Sequence, residues 1–239
     1  EACQYIIELI YNHCRIKLHD GKEALIKARL GKLMRRHGIA SLGEYIEFLC
    51  SRADDGEFTE MVDALTTNFT QFLREPDHFE FLVHHALPLV LARGRKTFRI
   101  WSAASSSGEE PYTIAMFLAE HYAAAKGWNW HVSASDISTK VLALACRGVY
   151  AEERVSSVPR NWLWTYFQKG TGQWAGHVRV QPELANRVSF RHVNLIEPYE
   201  HPQPFEAIFC RNVMIYFDRP TQEQLVTRLC RFLVPGGCL

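Results

Sequence analysis

The feature that most constrains this chain is a change of rhythm near residue 97. Beyond it, short apolar runs alternate with helix-spaced segments. Thr97-Phe-Arg-Ile-Trp-Ser precedes a helical stretch from Pro111 to Ala125, and Trp130 to Asp136 precedes another from Thr139 to Arg147. Val188 to Val193 and Phe205 to Cys210 are two further strand-like runs, the second followed by a helical pattern from Thr221 to Leu233. Pro111 suits a first helical turn, where its missing N–H has no partner to lose. Strands alternating with helices predict an α/β domain on a parallel sheet. Between about 150 and 187 the alternation stops. Aromatics and glycines dominate there (Trp162, Trp164, Tyr166, Gly170, Gly172, Trp174), and His177-Val-Arg-Val-Gln alternates as a strand does. This segment reads as a small antiparallel β subdomain inserted in the sheet domain.

Residues 1 to about 65 carry helical spacing. Ile6, Ile7, Leu9, Ile10 and Cys14 make one stripe; Leu25, Ile26, Leu30, Leu33 and Met34 make a second, ended by Gly38. Tyr45, Ile46, Phe48 and Leu49 follow Ser41 as a cap, and Val62 and Leu65 belong to a fourth helix. The expected division is a helical domain over 1–75 and an α/β domain over 76–239. A length of 239 residues suits two unequal domains. With 27 basic and 26 acidic residues the net charge is +1, which excludes a protein coated with nucleic acid over its whole surface. No run approaches the roughly 18 apolar residues of a spanning helix. The first residues carry Glu8, Asn12, His13 and Arg15 within their apolar pattern, unlike a signal peptide. Seven scattered cysteines without a C-x-x-C pair argue against a disulfide framework or a zinc ribbon and point to a reducing cytoplasm. Pro235-Gly236-Gly237-Cys238-Leu239 reads as a turn opening into a further strand, so the sequence is expected to be part of a longer chain.

Open α/β sheets bind ligands beyond the carboxyl ends of their strands. After the first strand comes Ser102-Ala-Ala-Ser-Ser-Ser-Gly-Glu-Glu-Pro, with small residues that admit a ligand to the backbone. One glycine is too few for a dinucleotide fingerprint. Glu109 and Glu110 disfavour a pyrophosphate and suit a cationic ligand, or simply begin a helix with acidic residues. Asp136 ends the second strand, either to accept ribose hydroxyls or to cap the next helix. Asn194-Leu195 ends the third, for a base edge and face or for a turn, and Arg211-Asn212 ends the fourth.

Four segments carry a resemblance: Thr67-Asn-Phe-Thr-Gln-Phe-Leu-Arg-Glu75, Trp101-Ser-Ala-Ala-Ser-Ser-Ser-Gly-Glu-Glu-Pro-Tyr112, Ala134-Ser-Asp-Ile137 and Phe209-Cys-Arg-Asn-Val-Met-Ile-Tyr-Phe-Asp218. In this order the chain resembles CheR-type chemotaxis receptor methyltransferases over nearly its whole length. Phe69 and Leu73 vary apolar positions of the first motif. The resemblance implies a Rossmann-like class I methyltransferase sheet with an N-terminal helical domain and an inserted β subdomain. It implies methyl transfer from S-adenosylmethionine to glutamate side chains of chemotaxis receptors, giving methyl esters and S-adenosylhomocysteine in chemotactic adaptation, with no metal. It places Asn68, Thr70, Arg74, Glu110, Asp136, Asn194, Leu195, Arg211 and Asn212 around the cofactor, and Arg74 with Tyr216 near the transferred methyl.

A glutamate acceptor has an ordinary pKa of about 4.3 and is already anionic at neutral pH. The absence of a conspicuous catalytic histidine constellation fits this. Between Arg15 and His37 lie Arg15, Lys17, Lys22, Lys27, Arg29, Lys32, Arg35 and Arg36 against Asp20 and Glu23, a local charge of +6. This is a solvated helix face or, as the resemblance implies, the surface that meets the acidic methylation helices of a receptor. The resemblance also implies a cytoplasmic enzyme recruited to membrane receptors, with a β subdomain that in some members adds the receptor's C-terminal tail peptide as an edge strand. Neither nucleic acid nor membrane insertion is expected. A methyltransferase for a small molecule or RNA, and a non-catalytic adaptor, are the rival readings. His84-His85 lacks the H-E-x-x-H context of a metal site, and Trp128 and Trp130 read as packing residues.

Overall fold

A computed structural model describes residues 2–18, 23–51, 55–94, 96–122 and 127–239. The chain opens with α1 (Ala2–Cys14), α2 (Glu23–Arg36), α3 (Leu42–Ser51) and α4 (Asp55–Leu65). Ile6 and Ile10, Ile26 and Leu30, and Tyr45 and Met61 close a shared core, each fully buried. Gly38 ends α2 with φ +68°; around it Ile39 N–H reaches the Met34 carbonyl at 2.9 Å and Gly38 N–H the Arg35 carbonyl at 3.2 Å. That pair of bonds satisfies carbonyls the helix end would leave bare. Ser41 caps α3, its Oγ accepting from Glu44 N–H at 3.2 Å. Lys22 and Asp20 of the basic run, and Ala123 to Ala125 of the expected helix end, lie outside the described residues.

The second unit begins with α5 (Asp77–Phe81), a π-turn over Leu82–Ala86 that carries His84 and His85, and α6 (Leu87–Leu91). Then come β1 (Thr97–Ser102), α7 (Glu109–His121), β2 (Asn129–Asp136) and α8 (Thr139–Arg147). After the insertion follow α10 (Pro182–Ala185), β6 (Val188–His192), β7 (Phe205–Phe209), α11 (Arg219–Cys230) and β8 (Leu233–Cys238). The main sheet has the order β6-β2-β1-β7-β8, and every pair in it is parallel. Ile100, Val132 and Ala134 pack against Ile114 and Leu118 of α7 on one face; Trp101 and Ile208 pack with Leu225 and Leu229 of α11 on the other. Chain order reverses between β1 and β7, which puts a ligand crevice beyond their carboxyl ends.

The insertion holds β3 (Val149–Ala151), α9 (Arg160–Tyr166), β4 (Phe167–Lys169) and β5 (His177–Val180), with β5 central in an antiparallel sheet of three. It is less β-rich than its aromatic run suggests, because Trp162, Trp164 and Tyr166 lie on α9. Helix α11 also runs 219–230 rather than 221–233. Asp218 caps it, accepting from Thr221 N–H at 2.9 Å; bonds from Thr221 and Tyr11 hold that carboxyl at about 2. Leu233 already belongs to β8, and Pro235 is tolerated there because it falls in the register shift between the pairings of Phe205 with Leu233 and of Ala207 with Cys238.

Candidate active site

The irregular segment from Thr67 to Glu75 joins α4 to α5 across the carboxyl rim of the sheet. Phe72 anchors it, fully buried and edge-on to Tyr150 and Phe167 at 5.0 and 5.6 Å. Side chains from other segments take up its backbone groups. Ser106 Oγ donates to the Asn68 carbonyl at 2.8 Å, Ser157 Oγ to the Phe72 carbonyl at 2.9 Å, and Leu73 N–H to Thr113 Oγ1 at 3.3 Å. Arg74 folds back to donate to the Phe69 carbonyl at 3.2 Å, its guanidinium 5.6 Å from the Phe69 ring centre.

Arg211, one residue past Cys210, gathers this segment to the sheet. Its Nη2 donates to the Arg74 carbonyl at 2.6 Å and meets Glu75 Oε2 at 3.0 Å; its Nη1 meets Glu110 Oε2 at 3.1 Å. The guanidinium lies 5.1 Å from the Phe79 ring centre. Glu110 also accepts from Ser102 Oγ at 2.7 Å. Burial pushes the Glu110 carboxyl above the ordinary range, with Arg211 and Ser102 pulling against it. Arg211 holds Glu75 below that range, and Asn212 adds a 3.4 Å bond to the same carboxylate. Asp136 sits at the end of β2 with Oδ2 accepting from Ser106 N–H at 2.8 Å and Oδ1 from Ser138 N–H at 2.9 Å. Burial raises its pKa and these backbone bonds oppose the shift. Gly108 is required where the rim loop enters α7. Its φ is +97°, and a Cβ there would stand 2.8 Å from Tyr150 Oη and 2.9 Å from Ala145 Cβ.

These side chains face one cleft with about 1130 Å³ of open space, between the helical unit and the sheet rim. Asn68, Thr70, Arg74, Glu110, Asp136, Asn194, Leu195, Arg211, Asn212 and Tyr216 all line it. Glu109 does not share the cleft with Glu110. It is fully buried, paired with Arg154 from the insertion and accepting from Ser107 Oγ at 2.7 Å. Asn194 spends its amide on structure: Nδ2 donates to the His13 carbonyl at 2.8 Å and to Glu197 at 3.0 Å, while Oδ1 accepts from Ile196 N–H at 3.2 Å.

The sequence reading missed the opposite wall, formed by Cys14 at the end of α1, by Ile16 and Leu18 after it, and by Arg29 of α2. Arg29 turns inward from the basic run, and its Nη1 caps α4 through the Leu65 and Thr66 carbonyls at 2.7 and 3.2 Å. Its spacing of three from Ile26 was the available signal. Lys17 N–H donates to the Tyr216 carbonyl at 2.8 Å, closing the helical unit onto the Tyr216 turn.

The cleft suits S-adenosylmethionine. Arg211 Nε is buried with no partner among the described residues, so a donor is left for a carboxylate. Glu110 offers an acceptor for an ammonium, Asp136 keeps lone pairs for hydroxyls, and Ile137, Val193 and Leu195 give apolar walls for a base.

Two family models together match almost all of the chain: CheR methyltransferase, all-alpha domain, over residues 1–66, and CheR methyltransferase, SAM binding domain, over residues 68–239. The Escherichia coli K12 chemotaxis protein methyltransferase is 44% identical over 235 residues, 98% of this chain and 80% of that protein. The Salmonella typhimurium LT2 protein of the same name is likewise 44% identical, with the same coverage. Chemotaxis protein methyltransferase 2 of Pseudomonas aeruginosa PAO1 is 41% identical over 238 residues, 99% of this chain and 83% of that protein.

Proposed function

The chain belongs to the CheR methyltransferase family of S-adenosylmethionine-dependent enzymes, and on that premise we propose how its cleft methylates receptor glutamates. The product is a glutamate methyl ester, with S-adenosylhomocysteine left behind. The observation that supports this reading is the convergence of Arg74, Tyr216, Glu110, Arg211 and Asp136 on one cleft at the topological switch point. When bound, the cofactor supplies an electrophilic methyl on a sulfonium. In this reading Asp136 accepts from the ribose hydroxyls, Glu110 meets the ammonium, Arg211 Nε donates to the carboxylate, and Leu195 covers the adenine. Asn194 holds its loop against α1. Asn68, Thr70 and Asn212 line the mouth, and Arg74 orients the acceptor carboxylate with a planar fork. Tyr216 donates to that carboxylate or contacts the methyl. The acceptor is anionic at neutral pH, so these residues need only align it and exclude water. Positioning of that kind contributes on the order of 7–11 kcal/mol in favourable intramolecular cases.

The helical domain, residues 1–75, presents the substrate surface. Lys27, Lys32 and Arg35 of α2 are exposed and meet no carboxylate within 4 Å among the described residues. Arg36 pairs with Glu57 and Glu60 of α4 instead. The free cations suit the acidic methylation helices of a receptor, with an encounter rate that falls as salt rises. The inserted sheet leaves β3 and β4 as edges on which a receptor tail peptide can add a strand. No helix among the described residues is long and apolar enough to cross a membrane; in this reading the cytoplasmic enzyme comes to the membrane through its receptors. Transfer of labelled methyl to receptor-bearing membranes tests the proposal. Base-labile label on receptor glutamates supports it. Label on RNA or a small molecule instead, or cofactor binding without transfer, overturns it.

A further inference from the structure

A parallel sheet is ordinarily covered on both faces, and its strands are apolar on both. Here the connection from β6 to β7, residues 193–204, contains no helix, and among the described residues no helix covers the α11 side of β2 and β6, where a groove lies. On that side β2 and β6 carry polar side chains, and β1 adds Arg99 next to the buried Trp101, which forms an apolar part of the wall. Register sets Arg99 beside His131, Ser133 beside Ser189, and Ser135 beside Arg191. The alternate residues, Ile100, Val132 and Val188, go to the core. Arg99, His131, Ser133, Ser189, Arg191 and His201 border a groove of about 620 Å³.

The charge of this groove is one-sided. Arg191 Nη2 lies 3.5 Å from His201 Nε2, and His131 Nε2 lies 2.8 Å from Ser189 Oγ. Arg99 is held by Gln203 at 2.8 Å and by the Phe205 ring, and Arg187 by Asn129 at 2.9 Å and by the Trp130 ring. Among the described residues none of these guanidinia has a carboxylate oxygen within 4 Å. Glu206, on the same face of β7, is buried and accepts from Arg99 N–H at 2.6 Å. Burial with Arg191 and Arg99 pushes His201 down to about 4, and burial with Arg99 and Arg187 lowers His131. Both imidazoles are therefore neutral beside surplus positive charge; His201 Nε2 accepts from Arg191, and each ring keeps one N–H to donate.

We propose that this groove is a binding site for a phosphate-bearing anion, separate from the methyl-transfer cleft. Guanidinium forks match phosphate oxygens two at a time, and the serine hydroxyls and neutral imidazoles add donors that leave the anion's charge intact.

Calorimetric titration of the whole chain with tripolyphosphate and with ATP, in about 0.15 M salt, tests this. Saturable binding to the chain is expected, weakened roughly tenfold or more by Arg99→Gln with Arg191→Gln, with S-adenosylmethionine affinity unchanged. Arg191 is exposed, so Arg191→Gln alone serves if the double variant does not fold. Binding of tripolyphosphate as well as ATP identifies the phosphate chain as the ligand; binding of ATP alone identifies a nucleotide. NMR titration of the His201 ring must then show its pKa rising when the anion binds, because the local sign of charge has reversed. No saturation at millimolar anion, affinity indifferent to the substitutions, or an unmoved His201 pKa overturns the proposal.

Discussion

Replacing Arg211 by methionine tests how the cleft is held together. Methionine keeps an apolar stem against Phe79 but removes the donors to Glu110, Glu75 and the Arg74 carbonyl. The Glu75 pair is half exposed on the carboxylate side and contributes at most about 1 kcal/mol. Glu110 is different. Its side chain is 12% exposed and, among the described residues, would keep Ser102 as its hydrogen-bond donor with Arg74 as a weaker neighbouring charge. Breaking a buried pair from one side costs about 3–5 kcal/mol, and at about 2–4 °C per kcal/mol for a chain of this size the melting temperature falls by roughly 6–20 °C. The loss depends on pH. Burial already lifts the Glu110 carboxyl above its unfolded value, and removing Arg211 lifts it further. Between the unfolded and folded pKa values the folded variant binds a proton that the unfolded chain does not. Its stability therefore falls as pH rises through that window and recovers below it. Thermal unfolding followed by circular dichroism at pH 5 and pH 8 should show the larger deficit at pH 8. Adding Glu110→Gln should remove most of the difference. A deficit below about 1 kcal/mol at pH 8, or the same deficit at both pH values, refutes the reasoning.

Arg74→Ala should abolish transfer of labelled methyl with an unchanged unfolding curve, because among the described residues the hydrogen bond and ion pair of its guanidinium go to Phe69 and Glu75 of its own loop; near-normal transfer would reject its role. Asp136→Ala should weaken S-adenosylmethionine binding by at least roughly tenfold, about 1.4 kcal/mol by calorimetry, and unchanged affinity would count against the ribose contact. Gly108→Ala should destabilise the chain by about 1–3 kcal/mol and loosen cofactor binding, since the new Cβ strikes Tyr150 and Ala145. Wild-type melting and affinity in that variant would show the turn to be less constrained than its φ implies.

The strands were legible because a parallel sheet repeats one signal, an apolar run closed by small or polar residues. The first four predicted strands all formed, and the polar ends of those strands located the cleft. What misled were residues whose environment comes from distant chain. Trp162, Trp164 and Tyr166 resembled a β segment by composition but face α7, solvent and Glu120 from a helix. The local chemistry of Glu109 and Glu110 is alike, and the family resemblance alone singled out Glu110; in the fold it is Arg154, 45 residues on, that takes Glu109 to the insertion and leaves Glu110 to the cleft. Arg29 was one cation in a basic run; its spacing from Ile26 placed it towards the apolar stripe, but its acceptors, the Leu65 and Thr66 carbonyls, lie 36 and 37 residues away. Asn194 lines the cleft as expected, and the engagement of its amide with the His13 carbonyl, 181 residues away, is a contact that no local pattern announces.

Backbone strain in the cleft follows from the same long-range placement. Leu73, Glu75, Ser106 and Asn212 all have φ between +48° and +56°, a region that non-glycine residues enter at a cost of about 1–3 kcal/mol each. All four belong to the cleft's loops, and each is fixed from outside its own segment: Leu73 by Thr113, Glu75 by Arg211, Ser106 by Asp136 and Asn212 by Glu75. Left to local preference, those loops would relax and swing their side chains off the rim. The hydrogen bonds are thus arranged to keep the backbone where the chemistry needs it. Asp136 shows the arrangement most directly, since the carboxylate proposed to hold the ribose also holds the strained Ser106 turn. Substituting it should therefore lose more affinity than one ribose contact supplies, and the excess over about tenfold measures how much of the cleft's shape depends on that single side chain.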